Sequence, residues 1–243
     1  MAYDSSNDRI TLSVAGTDPL KLKDWIDDLD FFKTAYPFCE EYGDEACEVH
    51  EGFLDTYDVA KDVVRSTVKA YMADFPTATV HVTGHSLGAI AAVFAAMDLT
   101  LTQNIKIDSI ITFGQPRGGD ESFAKFLEQT IKEFRWGEDG VRDGTNPEPA
   151  KLTPPLPPPF ARLVHFQDPV PHLPPQTLLG KPFFQHPATE VFYEERDSTG
   201  SYKICDGQED PTCSDQFLVD INLLNHLHYV GFDFISNYLT CKL

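Results

Sequence analysis

Residues 78–97 read A-T-V-H-V-T-G-H-S-L-G-A-I-A-A-V-F-A-A-M and carry a strand signal, a turn signal and a helix signal in succession. The stretch Ala78–Thr83 is rich in β-branched residues and predicts a buried strand. Gly84 follows at once, and Leu87–Met97 is an apolar, alanine-rich run that predicts a buried helix. Ser86 is therefore expected in the turn that joins a core strand to a core helix.

The same alternation of strands and helices continues on both sides of this stretch. Strands are predicted at Arg9–Val14, Ile107–Phe113 and Ala161–Phe166, and helices at Ala60–Phe75 and Gly119–Phe134. Strand–helix–strand repetition predicts an α/β fold with a mostly parallel central sheet and helices on both faces. A length of 243 residues suits one domain that spans residues 1–243.

One segment, Gly137–Pro159, departs from this pattern. It is acidic and glycine-rich at first and then contains the run P-P-L-P-P-P. We interpret it as a surface insertion with partly polyproline-like structure, and a proline-motif ligand is the alternative interpretation.

The pentapeptide Gly84–Gly88, G-H-S-L-G, matches the G-x-S-x-G pattern of a nucleophile elbow. Its position between a predicted strand and a predicted helix is the place where an α/β-hydrolase carries its nucleophile. Both glycines are expected because a Cβ there would collide with the neighbouring strand and helix. The N-terminus of the helix would also favour negative charge that develops beside Ser86. These features predict the α/β-hydrolase fold with Ser86 as nucleophile.

A serine nucleophile needs a general base, and this fold supplies first an acid and then a histidine after the serine. The histidines that follow Ser86 are His165, His172, His186, His226 and His228. His226 is favoured because it lies near the C-terminus, where the last loop of such a fold delivers its base. His228 is its nearest rival, although strand-like alternation would point it the other way, and His165 is expected to be a core residue.

Asp168 is the favoured acid because it follows a core strand directly, at the edge where open α/β sheets carry their ligands. It would hold one imidazole tautomer and stay ionised. The alternative is that Asp168 is only an Asp-Pro turn residue. The other candidate acids lie in a cysteine-bearing loop without a strand to position them: Asp206, Asp210, Asp215 and Asp220.

The oxyanion formed during acyl transfer needs hydrogen-bond donors. One predicted donor is the backbone N–H of Leu87, which follows the nucleophile. The other is expected from Gly16 and Thr17, after the first predicted strand, since glycine permits a close approach and Thr17 adds a hydroxyl. A simple Gly-Thr-Asp turn is the alternative.

The composition restricts the partners of the chain. Its formal net charge of −19 disfavours nucleic acid and anionic bilayers, and favours neutral or zwitterionic lipid surfaces. No apolar run reaches the roughly 20 residues of a transmembrane helix. The predicted chemistry requires no metal and no organic cofactor.

Two cysteine pairs stand close together in polar sequence, Cys39 with Cys47 and Cys205 with Cys213. We predict two disulfides and therefore a secreted protein; the rival, metal binding, lacks a C-x-x-C or H-x-x-x-H pattern. Cys241 is left without a partner, and the N-terminus carries no signal segment. Both features suggest the later part of a longer secreted protein.

Several motifs in order resemble the fungal-type class 3 lipases, a family that also contains feruloyl esterases. They are V-A-G-T at 14–17, D-W-I-D-D-L-D-F at 24–31, H-E-G-F at 50–53, V-T-G-H-S-L-G at 82–88, F-G-Q-P-R-G-G at 113–119, D-P-V-P-H-L-P-P at 168–175 and H-L-H-Y at 226–229. The resemblance implies a triad of Ser86, Asp168 and His226, and an oxyanion hole from Thr17 and Leu87.

The resemblance also implies that residues 18–30 form a lid that opens at an oil–water surface. Its apolar residues are Leu20, Leu22, Trp25, Ile26 and Leu29. An ordinary core-facing helix is the alternative interpretation, because Trp25 and Leu29 would pack inward in either case.

The chain departs from the family pattern in three ways. Ala15 stands where family members usually carry a basic residue, the span from Ser86 to Asp168 is long, and the family's N-terminal helix and strands precede the region where this chain begins. We expect hydrolysis of triacylglycerol-like lipid esters through an acyl-enzyme. The alternatives are an esterase for soluble, feruloyl-type esters and a catalytically silent, truncated lipase-like protein.

Overall fold

The structure is a computed structural model that describes residues 1–134, 159–193, 202–217 and 222–240. The strands are β1 (Ala2–Asp4), β2 (Arg9–Val14), β3 (Lys33–Ala35), β4 (Glu48–His50), β5 (Thr79–His85), β6 (Ser109–Phe113), β7 (Phe160–His165), β8 (Thr177–Leu178), β9 (Lys181–Pro182), β10 (Glu190–Tyr193), β11 (Tyr202–Ile204), β12 (His228–Tyr229) and β13 (Phe232–Asp233). The α-helices are α1 (Leu22–Asp27), α2 (Pro37–Tyr42), α3 (Glu51–Asp74), α4 (Leu87–Gln103), α5 (Glu121–Glu133), α6 (Leu223–His226) and α7 (Phe234–Thr240). Short 3₁₀ helices lie at Pro19–Lys21, Val170–His172 and Ser214–Phe217.

The described residues form one main sheet in the order β1-β2-β5-β6-β7-β10-β11. The five central strands are parallel, and β1 and β11 add antiparallel edges. Because the central strands are parallel, their carboxyl ends meet at one edge of the sheet. The predicted α/β architecture with a mostly parallel sheet is confirmed.

The three long helices α3, α4 and α5 share one hydrophobic core with one face of the sheet. In β5, buried and half-buried residues alternate, with Val80 and Val82 facing this core. The opposite face is covered in part by the C-terminal segment, where Tyr229 and Phe234 pack near Leu163. The alternation along β5 therefore separates the helix-covered face from the face that meets the C-terminal segment.

Helix α3 begins earlier than the sequence predicted, at Glu51 instead of Ala60. The His50 side chain accepts a hydrogen bond from the Phe53 backbone N–H and caps the helix, and Phe53 and Tyr57 extend its buried stripe. Helix α4 is also longer than predicted and ends where Asn104 adopts a left-handed conformation.

Both predicted disulfides are present, Cys39–Cys47 and Cys205–Cys213. Cys241 lies outside the described residues, as does the predicted insertion apart from Pro159, whose carbonyl oxygen accepts a hydrogen bond from Ile110. Across the described ranges, none of the helices combines the length and apolar character that crossing a membrane demands.

Candidate active site

Ser86 lies in the tight turn between β5 and α4, with φ 60° and ψ −131°. This backbone conformation is costly for a residue with a side chain, and the surrounding contacts hold it in place. A Cβ at Gly84 would lie 2.2 Å from the Gly88 carbonyl oxygen, and a Cβ at Gly88 would lie 2.4 Å from the Val14 carbonyl oxygen. Both glycines are therefore required by close approach of the strand and helix, as the sequence predicted.

Asp168 and His226 meet although they are far apart in the sequence. The His226 Nδ1 lies 2.8 Å from Asp168 Oδ2 and 3.0 Å from Oδ1, and both side chains are fully buried. Asp168 is positioned by the end of β7 and by the Val170 backbone N–H, which donates to Oδ1 at 2.8 Å. His226 is the last residue of α6. The short distances fit an Nδ1–H that donates to the carboxylate.

Gly114 makes room for this pair. It follows β6 with φ 56°, and a Cβ there would lie 2.7 Å from His226 Nδ1 and 2.9 Å from Asp168 Oδ2. Within the sequence this glycine is only one position of the 113–119 motif, and nothing local to it shows which side chains approach it.

Tyr229, which has no predicted role, is a further member of the group. Its hydroxyl donates a hydrogen bond to Asp168 Oδ2. Burial alone would raise the pKa of Asp168, but the charge and hydrogen bond of His226 and the Tyr229 hydroxyl outweigh it, and the pKa is lowered. Burial and the nearby Asp168 carboxylate raise the pKa of Tyr229 well above its ordinary value, so it stays a donor. The carboxylate is thus held ionised inside the protein.

His85, next to Ser86, supports His226 from the other side. Its Nε2 lies 2.7 Å from the His226 carbonyl oxygen, and its ring stacks on Phe234 with a centroid distance of 4.0 Å. The His85 and His226 ring centroids are 4.4 Å apart. Burial, followed by the proximity of His226, lowers the pKa of His85 to about 3. His85 is therefore neutral at physiological pH and donates its Nε2–H to the carbonyl.

Three buried polar atoms lack a hydrogen-bond partner among the described residues here: Ser86 Oγ, His226 Nε2 and Thr17 Oγ1. The hydrogen bond between Ser86 Oγ and His226 Nε2 is therefore not formed in this conformation. Leu87 is the first residue of α4, so its backbone N–H has no acceptor within the helix. A Cβ at Gly16 would lie 2.3 Å from the His85 carbonyl oxygen, which shows how closely the Thr17 loop approaches the turn.

The rival histidines have other partners. His228 is partly exposed and lies 3.4 Å from Asp233, while His165 is buried with Nδ1 3.0 Å from the Asn225 carbonyl oxygen. His186 contacts the Pro171 carbonyl oxygen, and His172 lies 3.5 Å from Asp215.

The rival acids also lie elsewhere. Asp215 lies beside Arg117 and His172, and Asp210 accepts hydrogen bonds from its own loop, at Asp206 and Thr212. Asp220 is outside the described residues. Within the described ranges, Asp168 is the carboxylate that contacts His226.

A cavity of about 500 Å³ touches both Ser86 and Thr17. Its walls are mainly apolar and come from five regions: the end of β2 with the loop that follows it, the predicted lid, the end of β5, the end of β6 and the C-terminal segment. Apolar residues of this lining are Val14, Ala15, Pro19, Leu22, Phe113, Leu227, Phe232 and Phe234. The candidate nucleophile therefore faces a space suited to an apolar group.

The predicted lid contains the 3₁₀ helix Pro19–Lys21 and helix α1. Leu22 is buried, the Trp25 ring stacks near Phe53 with a centroid distance of 6.3 Å, and Leu29 packs against the main core. Ile26 is half-buried, whereas Leu20 is exposed. Most of its apolar side chains thus face inward in this conformation.

Among the described residues, one cluster of metal-type ligands consists of Glu190, Cys205 and Cys213. The two sulfur atoms are joined in a disulfide and are not available as thiolate ligands.

Residues 11–178, well over half of the chain, match the family described as Lipase (class 3). The chain belongs to the class 3 lipase family. A lipase of Rhizomucor miehei is 30% identical over 214 residues, which cover 86% of this chain and 49% of that relative. The secreted mono- and diacylglycerol lipase 1 of Fusarium solani is 28% identical over 94% of this chain and 58% of its own length. The chain thus spans about half the length of the curated relatives it matches.

The structural comparison agrees with the class 3 lipase assignment. The structure of the Rhizomucor miehei triacylglyceride lipase matches with a TM-score of 0.74 and 28% sequence identity, over 95% of this chain and 74% of that chain. The sheet is therefore that of an α/β-hydrolase, as the sequence predicted, and the resemblance drawn from the motifs is confirmed.

Proposed function

We propose that this class 3 lipase homologue is a serine carboxylic-ester hydrolase, with Ser86, His226 and Asp168 as its triad. The observation that carries the proposal is the buried Asp168–His226 pair. Among the described residues His226 Nε2 has no partner, and the His226 ring packs 4.4 Å from that of His85, the neighbour of Ser86. A general base needs an available imidazole nitrogen and its nucleophile needs an available hydroxyl, and His226 and Ser86 can supply them.

The reaction proceeds through an acyl-enzyme. A side-chain rotation brings Ser86 Oγ to His226 Nε2, which takes the hydroxyl proton as Oγ attacks the ester carbonyl carbon. Asp168 stays ionised and stabilises the imidazolium. His226 then protonates the leaving alcohol, and water, activated by the same imidazole, releases the carboxylic acid and restores the serine.

Thr17 and Leu87 form the proposed oxyanion hole. The Thr17 hydroxyl has no partner among the described residues, and the Leu87 N–H has none within its helix, so both can donate to the oxygen that becomes negative. Each such donor is worth about 3 kcal/mol of transition-state stabilisation. The partial positive charge at the N-terminus of α4 adds to this effect.

The proposed substrates are acylglycerol-like lipid esters. Support comes from the apolar cavity beside Ser86 and from relatives that are named as triacylglyceride, monoacylglycerol and diacylglycerol lipases. We also propose that residues 18–30 act as a lid: Leu22 and Trp25 pack inward here and would become accessible if α1 moved away from the core. Two disulfides fit a secreted protein.

The direct experiment compares the chain with its Ser86→Ala variant on emulsified triacylglycerol and on a dissolved short-chain ester. We expect kcat to fall by at least about 10⁴-fold on both substrates, with the fold unchanged by circular dichroism. The control is Ser66→Ala, an exposed serine on α3, which should keep full activity. Retained turnover in Ser86→Ala would contradict the proposal, and a preference for dissolved aromatic esters would assign the chain to feruloyl-type esterases.

A further inference from the structure

The β8–β9 hairpin presents two leucines at its tip. Strands β8 and β9 pair as Thr177 with Pro182 and Leu178 with Lys181, and the turn consists of Leu179 and Gly180. Leu179 is 96% exposed, and Leu178 is also exposed. Both turn residues have positive φ, 52° and 75°, which is the conformation of a tight hairpin turn. The leucines are thus held outward by a regular turn.

The hairpin rises from the edge of the sheet that carries the candidate active site. It follows the Asp168 segment, and its base is closed by a hydrogen bond from the Phe183 N–H to the Gln176 carbonyl oxygen, 2.8 Å long. The Gln185 N–H donates to the Gly119 carbonyl oxygen, at 2.8 Å, in the segment between β6 and α5. One of these segments follows β6 and the other follows β7. Because β6 and β7 are parallel, both segments leave the same, carboxyl edge of the sheet.

The hairpin also adjoins the end of the lid segment. The ammonium group of Lys33, in β3, lies 4.8 Å from the centroid of the Phe183 ring and 5.2 Å from that of Phe184. Residue Phe32, which precedes Lys33, is 65% exposed and adds an apolar side chain on this side. The segment that follows the predicted lid therefore contacts the base of the hairpin.

The hairpin segment differs in charge from the chain as a whole. The net charge is −19, yet no aspartate or glutamate occurs between Asp168 and Glu190, and the hairpin carries Lys181. An apolar tip without neighbouring carboxylates in its own segment can enter a lipid surface without taking an acidic group out of water.

We propose that the Leu178–Leu179 tip is a fixed anchor that inserts into neutral or zwitterionic lipid surfaces and holds the active-site edge against them. The anchor differs from the lid because it needs no conformational change to become exposed. Its benefit to catalysis rests on the proposed ester hydrolysis, but its lipid binding is measurable without turnover.

The test measures partition of the protein to phosphatidylcholine vesicles by co-sedimentation, with Leu179→Asn as the variant. Asparagine tolerates positive φ, so the turn is retained while the apolar tip is lost. The partition coefficient should fall by about tenfold, the effect of keeping one leucine side chain out of an apolar phase. Val59→Asn, at a 90% exposed position on α3, is the matched control and should partition like the parent chain.

Hydrolysis of a dissolved short-chain ester separates this proposal from the proposed function. Leu179→Asn should leave that rate unchanged and slow only hydrolysis of emulsified ester. Partition of Leu179→Asn equal to that of the parent, or an equal loss in Val59→Asn, would overturn the anchor. If the parent hydrolyses no ester at all, the proposed function fails, and the vesicle result still decides the anchor.

Discussion

Asp98 and Asp168 are both fully buried carboxylates that accept a hydrogen bond from a tyrosine, yet their other hydrogen-bond partners differ. Asp98 is closed on all sides: Arg65 donates from Nε at 2.7 Å and from Nη2 at 2.6 Å, and Thr102 is bonded to it as well. Asp168 instead binds His226, whose Nε2 has no partner among the described residues.

The difference shows how a structural network can be told from a catalytic one. Both carboxylates are buried, both accept from a tyrosine, and both contact a nitrogen-bearing side chain. These features therefore do not distinguish the two sites. What distinguishes the two sites is the group at the end of each hydrogen-bond network. The Asp98 network ends in a paired guanidinium, whereas the Asp168 network ends in an imidazole nitrogen beside a strained serine turn.

The largest expected effect concerns activity. Asp168→Asn should lower kcat by about 10⁴-fold, because the amide no longer selects the correct imidazole tautomer or stabilises the imidazolium. Asp98→Asn, assayed at a temperature where it is folded, should change kcat by less than about twofold. Comparable losses of kcat in the two variants would erase the distinction between the networks.

Stability should respond in the reverse order. Asp98→Asn leaves the Arg65 guanidinium, which is only partly exposed, without its carboxylate and should lower the free energy of unfolding by about 3 kcal/mol. Chemical denaturation of both variants checks this ranking. A larger loss of stability in Asp168→Asn than in Asp98→Asn would contradict it.

Acid should reduce the contribution of the Asp98 network. Burial would raise the pKa of Asp98, but the hydrogen bonds from Arg65 and Tyr57 outweigh it, and the pKa is lowered. A lowered folded-state pKa stabilises the protein above the unfolded value of about 3.9, and this stabilisation is lost as the pH falls through the folded-state pKa. The stability gap between the parent and Asp98→Asn should therefore be constant near neutral pH and shrink below about pH 4. A stability difference between the parent and Asp98→Asn that widens in acid would contradict the predicted direction.

The two tyrosines extend the comparison at a smaller scale. Tyr229→Phe removes one donor to Asp168 and should lower kcat/KM by about tenfold, the worth of one hydrogen bond to a charged group. Tyr57→Phe removes the corresponding donor to Asp98 and should leave kcat/KM unchanged. Steady-state kinetics on a dissolved ester measures kcat/KM of both variants. Equal losses in the two would show that the Tyr229 hydroxyl has no specific role in the reaction.

The smallest effect is expected at His85, whose Nε2 bonds the His226 carbonyl oxygen rather than the His226 ring. His85→Phe keeps a ring for Phe234 but loses the hydrogen bond to the His226 carbonyl oxygen, and should lower kcat about threefold to tenfold with KM unchanged. His85→Gln retains an N–H donor and should recover part of the rate. If kcat of His85→Gln is no higher than that of His85→Phe, this hydrogen bond does not position His226.

Much of the frame could be predicted because it depends on local signals. The G-x-S-x-G turn, the strands β2, β5, β6 and β7, and the two short-range disulfides are all specified within a few residues of sequence. Asp168 and His226 could be proposed from their positions in the chain order of the fold. Each of these inferences needs only neighbours along the chain or a known order of elements.

The supporting residues could not be predicted because their partners are remote. Gly114 is required by side chains that arrive from β7 and α6, and Tyr229 meets Asp168 across 61 positions. His85 had no assigned role since its partner, the His226 carbonyl oxygen, is 141 positions away. The short strands β10 and β11 were also missed, because their pairing depends on the sheet rather than on periodicity.

The most direct test of the central claim is covalent labelling with a fluorophosphonate, followed by mass spectrometry of the digested protein. Phosphonates react with a serine only when a base and an oxyanion hole activate it. We predict a single modified serine, Ser86, in the parent chain, and labelling slowed by orders of magnitude in Asp168→Asn but not in Asp98→Asn. Absence of label, or label on a serine other than Ser86, would contradict the account.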